Sequence, residues 1–299
     1  MAGNLMYQPR SDSVAIRQDV LQRMMSTIGE LPASPVIIAS VMSMTANLDT
    51  NVTEVSRLLA TDSTLTAKVL KLANSSYYGR PQEVCSVKEA ILIMGFYAVR
   101  TLVIASSARS LFSGADPDGP VEKLWRHSLA TAIASRQIAG HLKHPHRDEV
   151  FIAGLMHDIG KLVMLESLGF RYRDVVLQIE HAHGSFVQEE QRHFGFTHVD
   201  VAHILTAHWG IPPSLVEAIA QHHTLGGYRP DSPIPMAYIV HLANHMAKLL
   251  RIGFEDARET ELGRLESAQA MRLEDETLEE LVSLVSDYYQ TEIKILDEQ

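Results

Sequence analysis

The sequence predicts an all-α protein, and three observations carry that prediction. Apolar residues recur at helical spacing along most of the chain. Side chains suited to helix N-caps precede several of these runs. No stretch alternates apolar and polar residues between hairpin-type dipeptides, which is the mark of a half-buried strand.

In the first part of the chain, Asn51 can cap a helix in which Glu54 completes a capping-box variant, with Leu58 and Leu59 on one face. Leu65, Val69, Leu70, Leu72 and Ala73 follow at helical spacing and stop at the turn-like stretch 74–79. Ser86 with Glu89 repeats the capping device before Ala90, Ile91, Ile93 and Met94. The stretch 113–119, rich in Gly, Asp and Pro, marks an internal boundary. Beyond it, helical patterns run over 124–139, 148–165, 185–194, 198–207 and 214–223. Gly160 and Gly210 sit where glycine can end or distort such helices. The acidic tail keeps an apolar stripe of Leu278, Leu281, Val282, Val285 and Tyr289, which predicts a helix packed on the body with its charges in water.

Composition narrows the class further. Apolar residues at 46% and charged residues at 21% are ordinary for a globular protein and exclude disordered, collagenous and membrane classes. The longest uncharged apolar run, 90–99, is half of the roughly 20 residues that span a bilayer, so it reads as core. Residues 1–10 hold no basic segment followed by an apolar stretch, so no export signal is read and a cytoplasmic location is expected. The single cysteine, Cys85, makes no internal disulfide and leaves any metal site to nitrogen and oxygen ligands. Fourteen acids and four basic residues in 255–299 account for the whole net charge of −10. The rest of the chain is balanced and has no basic stripe, which argues against nucleic acid as a partner.

All fifteen histidines lie between His127 and His245, so the middle of the chain is chemically distinct. The pair His157-Asp158 closes an apolar helical run of Phe151, Ile152, Leu155 and Met156. An aspartate buried there is costly unless its charge is paired or coordinates a cation; an exposed helix C-terminus is the plain alternative. A second pair, His222-His223, ends the apolar pattern Leu215, Val216, Ile219 and Ala220. Neighbours on a helix point about 100° apart, so two such rings are expected to serve two neighbouring ions, or one ion and a ligand. Two metals bridged by a carboxylate are a standard device for phosphoester hydrolysis, and Asp158, with two oxygens, is the candidate bridge. His127 and His198 are candidates to complete the cluster. His203 and His208 scatter round their helix and stay unassigned, and His141, His144 and His146 read as a solvated loop.

Several ordered motifs carry a family resemblance. Leu31-Pro32 with Pro35, Asp62-Ser63-Thr64-Leu65, Leu72-Ala73-Asn74-Ser75 and the stretch 86–95 resemble the N-terminal part of the HDOD family. Trp125-Arg126-His127-Ser128 and the stretch 151–161, with Gly154-Leu155-Met156-His157-Asp158-Ile159-Gly160-Lys161, resemble its HD part. The resemblance covers about 20–250 and implies an N-terminal segment 1–19, then an HDOD domain over 20–250 and an acidic helical extension over 251–299. Within the domain, a helical layer 20–113 would precede an HD-like metal-site bundle 120–250. It also implies a divalent transition metal, mono- or dinuclear, held by His127, His157, Asp158, His198, His222 and His223. Iron, manganese, zinc and nickel all suit such ligands. Lys161 matches a lysine that lies near the substrate phosphate in the related HD-GYP phosphodiesterases; a surface lysine is the alternative.

Two departures follow. At the position of the family's closing aspartate, in the helix 239–249, this chain has Asn244, a neutral and weaker ligand. The HD-GYP signature wants a glutamate after the paired histidines and then Gly-Tyr-Pro, whereas this chain has Thr224 and an interrupted Gly227-Tyr228-Arg229-Pro230. The expected function is therefore a signalling module that acts on protein partners. The alternative is a metal-dependent phosphohydrolase of a nucleotide or cyclic dinucleotide, with Asp158 and Lys161 in the reaction.

Overall fold

The computed structural model describes residues 84–95, 119–182, 184–209, 211–226, 228–229, 232–254 and 261–297, together with positions 52, 56, 59, 66, 69, 70, 73, 74 and 99. Every regular element among them is helical. The motifs read at 31–35, 62–65 and 75, the linker 113–118, and Gly210, Gly227 and Pro230 lie outside the described residues.

Helix α1 (Val87–Met94) starts as its sequence predicts: Ser86 Oγ accepts from Glu89 N at 3.1 Å, and the Glu89 carboxylate accepts from Cys85 N at 3.3 Å. Its Ala90 and Ile91 enter the core, whereas Leu92, part of the run expected to be core, is exposed. The long α2 (Pro120–His141) begins with proline in its first turn, where a missing N–H costs nothing. It is buried along most of its length and packs against α3 (Arg147–Met156), α9 (Met236–Leu249) and α11 (Asp275–Asp297). The pattern read as one helix over 148–165 is two, α3 and α4 (Ile159–Leu168), because the chain turns at His157 and Asp158. Helix α5 (Phe170–Ala182), which the sequence reading passes over, buries Tyr172, Val175, Val176 and Ile179 and rests on α4 and α6 (Phe186–Phe194).

Helix α7 (His198–His208) opens with a capping box in which the Thr197 side chain accepts from Asp200 N and the Asp200 carboxylate accepts from Thr197 N at 2.8 Å. Gly160 lets α7 approach α4. A Cβ there would fall on the carbonyl oxygen of His198 and lie 2.8 Å from its carbonyl carbon. Gly160 therefore neither ends nor distorts a helix; it permits a backbone contact. Helix α8 (Pro213–Gln221) packs on α3, α7 and α9. After a short helix α10 (Glu266–Ala270), the acidic tail forms α11, with Leu278, Leu281, Val285 and Tyr289 buried on the side that meets α2. Arg136 of α2 and Glu292 of α11 pair across that seam.

Candidate metal centre

Helix ends supply most of the centre, and the faces of α2 and α9 add His127 and Asn244. At the end of α3, His157 turns back so that Nδ1 donates to the Gly154 carbonyl at 2.8 Å. At the end of α8, His222 does the same to the Ile219 carbonyl at 2.7 Å. Each bond satisfies a carbonyl that the helix terminus leaves free, fixes the tautomer, and leaves Nε2 as the outward lone pair. His127 on α2 donates from Nδ1 to Ile252 at 3.2 Å, in the turn after α9. Gly253 makes room for that turn, with φ of +102° and a position where a Cβ would lie 2.6 Å from His127 Cβ.

His198, the first residue of α7, is held by a carboxylate that the sequence reading does not identify. Glu190 of α6 is buried and accepts from His198 N at 2.8 Å and from Nδ1 at 2.6 Å, and its other oxygen accepts from the Tyr172 hydroxyl. A carboxylate behind a histidine orients the ring and raises its basicity towards a cation.

The four Nε2 atoms so fixed surround Asp158. His198 and His222 lie 3.3 and 3.8 Å from Oδ1, and His157 and His127 lie 3.2 and 3.7 Å from Oδ2. His223 Nε2 faces His198 Nε2 at 3.2 Å, and the His222 and His223 ring centroids are 4.0 Å apart. The expectation that these adjacent rings diverge fails because both residues follow the last helical residue, Gln221, and a turn brings them together. Asp158, His198, His222 and His223 form one group of mutually close donor atoms, and His127, His157 and Asp158 form another. Asn244 Oδ1 lies 3.0 Å from His127 Nε2. Lys161, read as either a phosphate contact or a surface residue, is buried and donates to Asp158 Oδ2 at 2.7 Å.

Electrostatics keep His127, His222, His223 and Asp158 in the protonation states a cation requires. Burial holds the His127 ring down at about 4, with His157 adding to the effect. Burial, followed by neighbouring histidines, holds His222 and His223 well below the usual range. Burial alone would raise the Asp158 carboxyl, but His157, Lys161 and His198 outweigh it and keep it well below the usual range. The result is neutral His127, His222 and His223 rings beside an ionised carboxylate. His157 Nε2, His222 Nε2 and Asp158 Oδ1 are buried without a hydrogen-bond partner, and all three are acceptors. A cluster of orphaned acceptors round a buried carboxylate fits a divalent metal ion.

Comparison with known proteins agrees with this architecture. Residues 31–225 match the HDOD domain. Among solved structures, the chain is similar to an HDOD domain protein of unknown function from Geobacter sulfurreducens, at 24% identity over 94% of this chain and 98% of that one, with a TM-score of 0.71. It is similar to a protein from Marinobacter aquaeolei VT8 described as a "putative signal transduction protein", at 20% identity over 97% of this chain and 68% of that one, with a TM-score of 0.74. A "putative phosphohydrolase" from Shewanella amazonensis SB2B shares 22% identity over 92% of this chain and 97% of that one, with a TM-score of 0.69. These identities speak for the fold. No curated protein matches the sequence significantly. With its helical bundle, its enclosed His/Asp centre and a domain match over most of its length, the chain belongs to the HDOD domain family.

Proposed function

We propose that this chain is an interaction module of bacterial signalling, acting on protein partners, in which a divalent transition metal at the His/Asp centre has a structural or sensory role. One observation carries this reading: the donors are enclosed. His157, Asp158, His198 and His222 have no exposed surface, and His127 has almost none. Hydrolysis would need space for water and a phosphate beside these atoms. Iron, manganese, zinc and nickel suit the nitrogen and oxygen donors.

Asp158, His198, His222 and His223 would hold the ion, with His127, His157 and Asn244 on the other side of the carboxylate. When bound, it supplies positive charge to Asp158 and Lewis acidity to whatever reaches it. The protein's own part is to link four segments, namely α2, the turn between α3 and α4, the start of α7, and the turn after α8. Their positions would then depend on the ion, which is the property a metal-sensitive interaction module requires. Among the described residues no helix is long and apolar enough to cross a membrane.

A second reading, a phosphohydrolase acting on a nucleotide or cyclic dinucleotide, draws on His223, the one donor of its group that is partly exposed. Elemental analysis of the purified protein with a screen of phosphodiester substrates decides between the two. Bound metal without turnover is expected; robust turnover would put the hydrolase first.

A further inference from the structure

We infer that Lys161 is a built-in cation that fills the Oδ2 side of the His/Asp centre and limits the protein to one metal ion, on the Oδ1 side of Asp158. The inference rests on the metal reading above and concerns how this chain's residues divide the site. Asp158 shows different surroundings to its two oxygens. Oδ1 has no hydrogen-bond partner and faces His198 and His222, with His223 closing the group. Behind His198 stands Glu190, a second buried carboxylate bonded to its Nδ1. That side therefore offers ring nitrogens backed by a second carboxylate.

Oδ2 is different. It accepts from Lys161 Nζ at 2.7 Å, closer than either His157 or His127 approaches it. The ammonium is held from a second direction by the Phe186 ring, whose centroid is 4.0 Å from Nζ, and Phe186 is itself packed on Phe254. Lys161 is thus clamped between a carboxylate and an aromatic face, not free to swing away. The remaining donors on this side are His127, His157 and Asn244, none of which brings negative charge. A second dication would have to sit beside an ammonium and share a carboxylate oxygen that is already neutralised.

The test is a metal count on the full chain, saturated with Mn(II) alone and then cleared of loose ions. The native protein is expected to hold about one equivalent and to give the paramagnetic resonance spectrum of an isolated Mn(II). Lys161→Met keeps the length of the side chain and removes its charge, so it should take up a second equivalent and show coupled ions. Two equivalents or a coupled spectrum in the native protein would overturn the inference, as would a folded Lys161→Met that still holds one. If that variant does not fold, the native count and spectrum decide by themselves. A native protein that binds no metal overturns the metal reading as well, and this result is distinct from the two-ion one.

Discussion

Helix α2 borders two regions held together by opposite means. His127 enters the His/Asp centre, where buried acceptors face one another across Asp158. Farther along, Arg136 pairs with Glu292 at the seam with α11, whose Leu278, Leu281, Val285 and Tyr289 are buried. The seam gains its stability chiefly from apolar area, about 25 cal/mol for each Å² removed from water. Its loss on substitution should be graded and local. The centre gains little from its own contacts, since an ionised carboxylate is costly to bury and Lys161 offsets that cost only on the Oδ2 side. There, one changed charge should alter metal binding while the helices persist.

The largest effect is expected from Asp158→Ala, because every donor pair of the centre is organised around that carboxylate. Metal content should fall below about a tenth of an equivalent, with helical circular dichroism retained. Unchanged metal content would show that Asp158 is not a ligand. Gly160→Ala comes next and attacks the framework: its methyl would collide with the His198 backbone, so α4 and α7 must separate. A loss of about 3 kcal/mol in denaturant unfolding is expected, together with weaker metal binding, since His198 moves away from Asp158. If Gly160→Ala is as stable as the native protein, the close approach of α4 and α7 is not required.

Leu281→Ala supplies the contrast from the seam. It should cost about 2 kcal/mol, at the low end for a buried leucine, and leave the metal count unchanged. Altered metal content in this variant would mean that the two regions are coupled through α2.

Acidity separates the regions again. In the metal-free protein, the His127 ring titrates at about 4 when folded but at 6.5 as a free side chain. Below about pH 6.5 the unfolded chain therefore takes up protons that the folded one refuses, and stability falls as pH drops towards 4, by about 1 kcal/mol for each unit from this ring alone. Asp158 is depressed, so its own contribution persists over this range and is lost only at still lower pH. Added metal should raise stability most near neutral pH without moving the onset near 6.5, and that gain should fade as the pH drops, because the ion competes with protons for His222 and His223 and not for His127 on the other side of Asp158. A flat profile between pH 7 and 5 would contradict this account. In Leu281→Ala, by contrast, the profile should run parallel to the native one.

What could be read in the sequence follows the same division. The α11 stripe and the Ser86 cap depend on local period and local bonds, and each is where the pattern places it, whereas α2 runs beyond the 124–139 of the pattern to Pro120–His141. His157-Asp158 stands out because two polar residues end an apolar run. Glu190 was not legible: it reaches His198 across the break between α6 and α7, a relation that no helical period encodes. Periodicity does not reveal the convergence of His222 and His223, because the helix stops at Gln221 with no breaker residue to mark the end. Gly160 required knowledge of which backbone passes over it. Helix α5 has a weak signature in the sequence because charged residues such as Arg171, Arg173 and Asp174 interrupt its buried Tyr172, Val175, Val176 and Ile179.

The smallest effect is expected from Asn244→Asp, which sharpens the comparison within the centre itself. Asn244 Oδ1 lies 3.0 Å from His127 Nε2, a nitrogen whose proton is absent because Nδ1 donates to Ile252 and the ring is held at about 4. Two acceptors face each other there unless the amide turns its Nδ2 inward or a cation lies between them. A carboxylate at this position would add the negative charge that the Oδ2 side lacks. Lys161 would still neutralise Oδ2, so occupancy of that side should rise only partly, to less than a second full equivalent. Combining Asn244→Asp with Lys161→Met should complete it. If turnover of a cyclic dinucleotide appears with the second ion, the missing carboxylate is what keeps the native protein from hydrolysis. If occupancy rises and turnover does not, the interrupted Gly227-Tyr228-Arg229-Pro230 segment is the better explanation, since substrate would then lack a place to bind. The new carboxylate could also simply pair with His127 and raise its pKa, leaving the binding isotherm for Mn(II) unchanged. That result would show that charge at position 244 does not govern occupancy, and the burden of excluding a second ion would fall on Lys161 alone.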